Sequence, residues 1–353
     1  MVNDLVAQAG RPLPVCVIAR YDDASLTGVI QKLHALGAPV LRFDLGGFPE
    51  RVRLAAWFEE GRVTGTLETD GRAMALEDIG AVFWWHPTLP HIPPDDGVDE
   101  ATAEWLSREA SAGLAGTLAA LDCLHVNHPA AINAAQNKPH ILRTAAAAGL
   151  RVPPTWIGNA ASARHAIDHL GRAVCKSLVE PTIETPSGPA VLFTSPVTAK
   201  ELGANAAGAA HQFQQRITAM YEVRLICVRE KLIAGRLTTP PDSTDFRAHY
   251  DQLTYGYIDV PPEVHHSVLR LLHRLDLTYA ALDLLVDPLG QWWLVDVNPA
   301  GMWGFVEAAL PDLAISAQLA TVLANPRTTS SHHAATPSHE ARTDSEEHHA
   351  LRH

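Results

Sequence analysis

Three side chains whose oxygen atoms could ligate a metal ion lie close together in the sequence, on either side of a turn. Asp283 is inside an apolar run, and Asp296 and Asn298 belong to the next apolar run. Residues two apart on a strand share one face, so Asp296 and Asn298 would point the same way. Between the two runs, residues 287–290 (Asp-Pro-Leu-Gly) have strong turn composition, which predicts a hairpin.

The length of the turn decides how the hairpin pairs. A two-residue loop places Asp283 opposite Leu294 and on the face of Asp296. A three-residue bulged loop shifts the pairing by one and requires a further irregularity. Either pairing gathers three oxygen-bearing side chains, which Mg²⁺ binds together with waters and nucleotide phosphates. The alternative is a solvated edge hairpin on which Asp and Asn merely end the strands.

Two lysines precede the hairpin. Lys176 lies in an apolar run, where a strand seldom places a lysine without a partner anion. Lys138 opens a helix just after Asn137, a location suited to phosphate binding and equally to ordinary exposure. Each lysine alone is compatible with a structural role. Their order, followed by residues 214–217 (Gln-Gln-Arg-Ile) and the acidic hairpin, favours phosphate chemistry.

The elements that would position these residues fall into two parts. In the first part strand and helix signals alternate, which predicts an open α/β sheet over about 130 residues. Its predicted elements are Val15–Ala19, Ser25–Leu36 (helix), Pro39–Leu45, Arg53–Phe58, Thr64–Thr69, Ala81–Trp85 and 99–121 (helix). The first strand is not followed by a glycine-rich turn, so a dinucleotide site has little support.

From Asn137 the pattern changes. The predicted helices are Lys138–Ala148, Pro262–Leu275 and Asp312–Leu323. The predicted strands are Val174–Leu178, Val191–Thr194, Gln212–Thr218, Tyr221–Val228, Leu232–Thr238, Ala280–Val286 and Gln291–Val297. After Asn325 the sequence is rich in Ser, Thr and His and has almost no large apolar residues, which predicts a disordered tail.

Composition excludes several classes of protein. A length of 353 residues suffices for more than one lobe, and a formal net charge of −12 argues against a general nucleic-acid binder. No run of 18 apolar residues and no secretion signal occurs, so we expect no membrane span and a cytoplasmic location. The four cysteines lie far apart and are expected to be buried thiols.

The order and spacing of several motifs resemble those of the ATP-grasp superfamily. More closely, the sequence is similar to the graspetide synthetases, the ATP-grasp maturases of ribosomally made peptides that include the microviridin ligases. The resemblance covers about residues 10–325. It rests on Asn137-Lys138, the segment 149–155, Lys176, the segments 213–217 and 221–224, Asp245-Phe246-Arg247, and Asp283 through the stretch 296–304 (Asp-Val-Asn-Pro-Ala-Gly-Met-Trp-Gly).

The resemblance implies an α/β fold, α+β in its C-terminal part: an ATP-grasp fold preceded by an open α/β pre-ATP-grasp domain. The domains would be the pre-ATP-grasp domain over 1–135, the small or central lobe over 136–215, and the C-terminal lobe over 216–325. A disordered tail would cover 326–353.

Family roles can be carried onto these positions for ATP. Lys138 and Lys176 would hold the phosphates, and the backbone at Arg216 and Ile217 would meet the adenine edge. The ATP-binding set implied by the resemblance is Lys138, Lys176, Gln214, Gln215, Arg216, Ile217 and Glu222, of which Glu222 would hydrogen-bond the ribose.

The resemblance also implies the metal ligands and the catalytic side chains. Asp283, Asp296 and Asn298 would ligate Mg²⁺. Arg247 would stabilise charge on the γ-phosphate or the acyl phosphate, with Arg224 as a weaker candidate. A surface loop arginine is the alternative interpretation of Arg247.

The sequence departs from the family pattern in three places. Asp296 stands where the family commonly has Glu, which leaves the number of bound ions open. Gln215 replaces a frequent Glu of the hinge. The segment 177–190 lacks the multiple glycines that many ATP-grasp enzymes use over the phosphates.

The implied reaction is the activation of an Asp or Glu side chain of a precursor peptide and its joining to a Ser, Thr or Lys side chain. A leader segment of that peptide would bind in a groove near residues 180–225, and a homo-oligomer would fit the resemblance. Two alternatives remain: an ATP-grasp ligase that adds a free amino acid to a small acid or to a protein C-terminus, and a non-catalytic nucleotide-binding protein.

Overall fold

The computed structural model describes residues 12–95, 97–159, 162–179, 182–186, 188–202, 208–240 and 243–326. Except for Pro326, the predicted disordered tail lies outside the described residues. Part of the expected peptide groove, at residues 180–181, 187 and 203–207, lies outside them as well.

The first part of the chain is built on a parallel sheet. Its elements are β1 (Val15–Ala19), α1 (Thr27–Ala35), β2 (Val40–Phe43), β3 (Val52–Glu59), β4 (Arg62–Thr69), β5 (Arg72–Ala75), β6 (Ala81–Trp85), α2 (Glu100–Ala119), β7 (Leu124–Val126) and α3 (Pro129–Gln136). The parallel strands have the order β2-β1-β6-β7, and β3-β4-β5 form a separate antiparallel sheet. Every residue of β1 is buried, as expected of a central parallel strand covered on both faces.

The second part is built on two antiparallel sheets and a hairpin. Its elements are α4 (Lys138–Ala147), β8 (Thr155–Gly158), α5 (Ser162–Leu170), β9 (Ala173–Lys176), β10 (Thr182–Thr185), β11 (Gly188–Val191), β12 (Ser195–Val197), β13 (His211–Gln215), β14 (Tyr221–Val228), β15 (Lys231–Thr238), β16 (Thr254–Tyr257), α6 (Pro262–Leu275), β17 (Tyr279–Val286), β18 (Trp292–Asn298), α7 (Gly304–Ala309) and α8 (Ile315–Ala324). The small sheet has the order β12-β9-β13-β8 and the large sheet β16-β15-β14-β17-β18, while β10 pairs with β11.

The large sheet is covered on both faces. One face packs against α3, α4 and α6, and α6 contributes Val264, Val268, Leu271 and Leu275 at helical spacing. The opposite face, at the end nearer the first sheet, shares a core with β1, β6 and α8. That core contains the indole rings of Trp85 and Trp303, whose centroids are 4.7 Å apart.

The predicted α/β class is confirmed, with four elements placed to the residue: Val15–Ala19, Ala81–Trp85, Tyr221–Val228 and Pro262–Leu275. The strand predicted at Val191–Thr194 is wrong, because β11 ends at Val191 and β12 begins at Ser195. The last helix also begins later than predicted, since Pro311–Leu313 forms a 3₁₀ turn and Ala314 has a positive φ of 49°.

Within the described residues, none of the helices combines the length and the apolar character needed to cross a bilayer.

Candidate active site

The turn of the hairpin between β17 and β18 has three residues. The backbone N–H of Asp287 donates to the carbonyl oxygen of Gln291 at 3.1 Å, and Gly290 closes the turn with a φ of 75°. Glycine is suited to this position because it adopts a positive φ without steric cost. Of the two predicted pairings, the two-residue loop is wrong and the three-residue loop is confirmed.

The further irregularity that this loop requires is a β-bulge at Val295. Leu284 pairs with Leu294, but the preceding residue of β17, Asp283, pairs with Asp296. Val295 therefore has no partner on β17, as expected of an extra residue inserted into one strand.

The bulge decides which face the acidic side chains occupy. Trp292 and Leu294 pack into the core beneath α4 and α6. Strict alternation would place Asp296 and Asn298 in that same apolar core. The extra residue reverses the alternation, so both side chains lie on the opposite face, together with Asp283.

The two carboxylates form part of a charged row across the large sheet. Arg224 pairs with Asp283, and Asp283 pairs with Asp296. Nη1 of Arg224 donates to Oδ1 of Asp283 at 2.7 Å, and Nζ of Lys138 forms a salt bridge with Oδ1 of Asp296. Burial by itself would raise the pKa of Asp296, but Lys138 and Lys176 outweigh it and lower that pKa. Asp296 is therefore a carboxylate at neutral pH.

Lys176 reaches this row from the small sheet. It is the last residue of β9, and its Nζ donates to the carbonyl oxygen of Val295 at 2.6 Å. Burial lowers the pKa of Lys176, while the charge of Asp296 opposes that shift. The ammonium group of Lys176 is thus directed at the bulge.

Asn298 lies further along the same face of β18. It pairs with Ala281, and its Oδ1 accepts the backbone N–H of Ala300 at 2.9 Å. Asp283, Asp296 and Asn298 therefore offer two carboxylates and one amide oxygen on one surface.

This donor set fits a hard divalent cation. Among the described residues no group of three His, Cys, Asp or Glu side chains forms a metal cluster. A Mg²⁺ ion held here would therefore depend on waters or phosphate oxygens for its other ligands, which is its usual preference. It would also compete with Lys138 for Asp296.

A cavity of about 440 Å³ lies between the small and the large sheet. The segment that connects β13 to β14 forms one wall, and Val174 and Leu285 provide apolar surface. This volume falls in the range of small-molecule sites. All predicted ATP-binding residues except Lys138 line this cavity: Lys176, Gln214, Gln215, Arg216, Ile217 and Glu222.

Two of these residues are already engaged by neighbouring groups. The buried Gln214 donates from Nε2 to Oγ1 of Thr155 at 2.9 Å, within the small sheet. The backbone N–H of Arg216 donates to the carbonyl oxygen of Arg172 at 2.8 Å. A contact between this backbone and an adenine ring would therefore come from the Arg216 carbonyl and from Ile217.

Glu222 is a neutral acid at pH 7. Burial raises its pKa to about 8, with further contributions from the charges of Asp283 and Asp245. A protonated carboxyl group can donate a hydrogen bond as well as accept one, so Glu222 can bind a hydroxyl in either sense.

Arg247 is held in a bidentate ion pair. Its Nε and Nη2 donate to the two carboxylate oxygens of Asp245 at 2.8 and 2.6 Å. Oδ2 of Asp245 also accepts the backbone N–H of Thr194 at 2.9 Å. This ion pair fixes the direction of the guanidinium at the edge of the cavity.

A second cavity, of about 770 Å³, adjoins the first. It is lined by Asn137 and Lys138 at the start of α4, by Asn298, and by the segment 176–179. Among the residues that the structure describes, four line both cavities: Lys176, Thr194, Arg247 and Asp296.

The sequence interpretation missed Thr194 and Val295. Nothing in the sequence around Thr194 distinguishes it from other loop residues. Val295 had a detectable signal, because Trp292 and Leu294 alternate in phase with Asp296. If the alternation of core-facing residues continued unbroken, it would bury the carboxylate of Asp296 in an apolar core. A bulge between Leu294 and Asp296 avoids this.

Comparison with known families identifies the first part of the chain. Residues 15–133 match the family described as the MvdD pre-ATP grasp domain. A comparison with curated proteins found no match.

Most of the chain is similar in structure to solved ATP-grasp ligases. A ligase associated with ribosomally made peptides from Chryseobacterium gregarium, in complex with ADP and a leader and core peptide, superposes with a TM-score of 0.80 at 22% identity, over 89% of this chain and 97% of that one. The macrocyclase MdnC of Microcystis aeruginosa, bound with the precursor peptide MdnA, gives 0.76 at 25% identity, over 88% and 99%. The ligase PsnB, complexed with a precursor variant, Mg and ADP, gives 0.68 at 22% identity, over 88% and 97%.

The fold and these matches define an enzyme of the ATP-grasp ligase class with a pre-ATP-grasp domain. Within that class the chain is similar to the ligases that mature ribosomally made peptides, so the resemblance drawn from the motifs is confirmed.

Proposed function

We propose that this chain uses ATP and Mg²⁺ to activate Asp or Glu side chains of a ribosomal precursor peptide and joins them to Ser, Thr or Lys side chains. The products would be ω-ester or ω-amide macrocycles. The observation that carries the proposal is the junction of the two cavities at Lys176, Thr194, Arg247 and Asp296. A phosphoryl group transferred from a nucleotide in one cavity to a carboxylate in the other would pass this junction.

The first cavity would hold the nucleotide. Its apolar walls suit an adenine ring, and Glu222 can hydrogen-bond a ribose hydroxyl. The triphosphate would point towards Lys176 and the carboxylate row. Mg²⁺, held by Asp283, Asp296 and Asn298, would neutralise phosphate charge.

The chemical step would be phosphorylation of the substrate carboxylate. A carboxylate is a poor electrophile, and its acyl phosphate has a good leaving group. The guanidinium of Arg247, fixed by Asp245, would stabilise the charge on the transferring phosphoryl group. The hydroxyl or amine then attacks the carbonyl carbon, phosphate leaves, and the nucleophile loses its proton.

The second cavity would hold the reacting part of the peptide. Close to it, the segment 179–193 exposes large apolar side chains: Val179, Ile183, Val191, Leu192 and Phe193. Exposed apolar side chains grouped beside a polar site are typical of a surface that binds a chain segment. The precursor complexes of the similar ligases support a peptide substrate, and a leader segment would extend along this surface.

We also propose the division into 1–135, 136–215 and 216–325, with a homo-oligomeric assembly. The match over residues 15–133 supports the first boundary.

The proposal is tested with ATP, Mg²⁺ and candidate precursor peptides rich in Thr or Ser and in Asp or Glu, of the kind that a short neighbouring reading frame would encode. Mass spectrometry should show the loss of one water for each bond formed, together with release of ADP. Product formation from free amino acids, without a peptide, would favour the free-amino-acid ligase instead. Nucleotide binding without ADP release with any acceptor would favour a non-catalytic nucleotide-binding protein.

A further inference from the structure

The loop that follows Asn298 is held by side chains at four successive carbonyl groups. Each carbonyl from Pro299 to Met302 accepts a hydrogen bond from a different side chain. The donors, in order, are Nδ2 of Asn127 (2.7 Å), Nε2 of His86 (2.7 Å), the hydroxyl of Tyr279 and Nη2 of Arg224 (2.8 Å). Loop carbonyls ordinarily bond to water or to neighbouring backbone, so this arrangement fixes the path of the loop.

Two of the four donors come from the first part of the chain. His86 directly follows β6, and Asn127 directly follows β7. Because β6 and β7 are parallel, both side chains lie at the same edge of the first sheet. That edge faces the loop of the metal ligand Asn298.

Asn127 connects the loop to the start of β17. Its Nδ2 also donates to the carbonyl oxygen of Tyr279 at 2.8 Å, and its Oδ1 accepts the N–H groups of Thr278 and Tyr279 at 2.8 and 2.9 Å. The side chain is almost fully buried and all of its hydrogen-bonding groups are occupied by protein. The loop and the large sheet thus share one anchor in the first sheet.

His86 acts on the residue that orients Asn298. The carbonyl of Ala300 accepts from His86, and the N–H of Ala300 donates to Oδ1 of Asn298. Nε2 of His86 carries the proton of this bond, because a carbonyl oxygen only accepts. A shift of Ala300 would therefore move the amide oxygen of Asn298.

We propose that His86 and Asn127 are positioning residues of the Mg²⁺ site, so that the pre-ATP-grasp domain sets the place of Asn298. This inference rests on the proposed function, in which Asn298 is a metal ligand. Neither residue touches reacting atoms. Partners that orient a metal ligand commonly change metal affinity by about 10–100-fold when they are removed.

Removal of the His86 side chain can distinguish a positioning role from a general structural role. Its side chain is exposed, so water can replace the lost partner and removal should leave folding intact. Its φ of 45° is rare for a residue with a side chain, which is consistent with a conformation retained for this contact.

The test is calorimetric titration of ADP, with EDTA or with a series of Mg²⁺ concentrations, into wild type, His86→Ala, His86→Gln and His34→Ala. In His86→Ala the apparent Mg²⁺ affinity of the ADP complex should fall about tenfold, with ADP affinity in EDTA unchanged. His86→Gln places an amide N–H near the position of Nε2 and should recover most of the affinity. His34 is an exposed histidine of α1, and its removal should change nothing.

Equal Mg²⁺ affinities in wild type and His86→Ala would overturn the positioning role and leave the proposed function standing. A parallel loss in EDTA would also overturn it, because the histidine would then support nucleotide binding generally. If wild type itself bound ADP without any effect of Mg²⁺, the proposed function would fail first and the inference with it.

Discussion

Arg224 and Gly301 approach so closely that the guanidinium occupies the space a side chain at Gly301 would need. A Cβ built on Gly301 would lie 2.7 Å from Nη2 of Arg224 and 2.6 Å from the Cβ of Ala281. Ala281 belongs to the rigid strand β17, and Arg224 is held by Asp283 at 2.7 Å. Neither neighbour can move away without disturbing the carboxylate row.

Gly301→Ala is therefore expected to destabilise the fold by about 1–3 kcal/mol through overpacking and to lower turnover. Gly304→Ala is the matched control, because a Cβ there meets no atom within 4 Å. Urea unfolding and ADP release measure the two effects. Equal stability of the two variants would show that the loop moves more freely than the geometry implies.

Lys176→Met should abolish nucleotide-dependent turnover, since the variant keeps the apolar stem and removes the charge that faces Asp296. The expected loss of ADP release is at least about 100-fold, the scale found when one group that stabilises transition-state charge is removed. Lys32→Met, at an exposed position of α1, controls for loss of a positive charge. Normal ADP production by Lys176→Met would remove this lysine from the site.

The two carboxylates should differ in what they contribute to folding. Side-chain exposure is 7% for Arg224 and 19% for Asp283, so Asp283→Ala leaves a buried guanidinium short of a partner and should cost about 3 kcal/mol. The Lys138–Asp296 pair is more exposed, at 24% and 31%, and Asp296→Ala should cost about 1 kcal/mol or less. Chemical unfolding without divalent cations measures both.

Asp283→Ala and Asp296→Ala should each weaken the Mg²⁺-dependent part of ADP binding. Asp296→Ala combined with Asn298→Ala should remove Mg²⁺ dependence along with activity. Asp259→Ala, at an exposed carboxylate, is the control. An intact Mg²⁺ response in the double variant would separate this face from the metal.

Glu222 should make stability depend on pH. Its folded pKa of about 8 lies above the ordinary value of 4.5, so the folded state holds a proton that the unfolded state has released between these values. The contribution of Glu222 to the free energy of unfolding therefore falls as pH rises from 4.5 to 8 and is constant above. Glu222→Gln removes this dependence and should be more stable than wild type at pH 8 but equal to it at pH 4.

Thermal unfolding without nucleotide or Mg²⁺, at pH 4, 6 and 8, measures the difference. A constant gap between wild type and Glu222→Gln over this range would show that the carboxyl group titrates normally.

Removal of residues 327–353 should leave the melting temperature and turnover unchanged, because the sequence there is too polar to form a core. Pro326 is retained because its carbonyl oxygen accepts from Nη2 of Arg229 at 3.0 Å. A large loss of thermal stability on truncation would assign the tail a structural role.

Much of the fold follows from local pattern. Strands such as Val15–Ala19 and the helix Pro262–Leu275 have continuous apolar runs or helical spacing with clear ends, so their bounds were predicted to the residue. The helix Pro129–Gln136 was not predicted, because it is short and alanine-rich and packs against the large sheet through only Ala131 and Ala135. Short elements of this kind depend on long-range contacts that one sequence does not display.

The site was predictable where side-chain chemistry is unusual for its surroundings, as with Lys176 and Asp296 among apolar residues. The partners of these side chains were not, since they are backbone groups or distant residues. The carbonyl of Val295 and the N–H of Thr194 have no signature in residue type. His86 and Asn127 lie more than 150 residues from the loop that they contact.

Because of the bulge at Val295, the arrangement of the carboxylates and Lys176 depends on the number of residues in β18 rather than on the residue type at position 295. Many apolar amino acids could stand at position 295, because its contribution is one unpaired backbone unit with an accessible carbonyl. Deletion of that single unit would leave Asp296 opposite Asp283 but would remove the carbonyl oxygen to which Nζ of Lys176 donates. Homologous chains should therefore tolerate exchange of side chains at this position far better than any change in the length of β18.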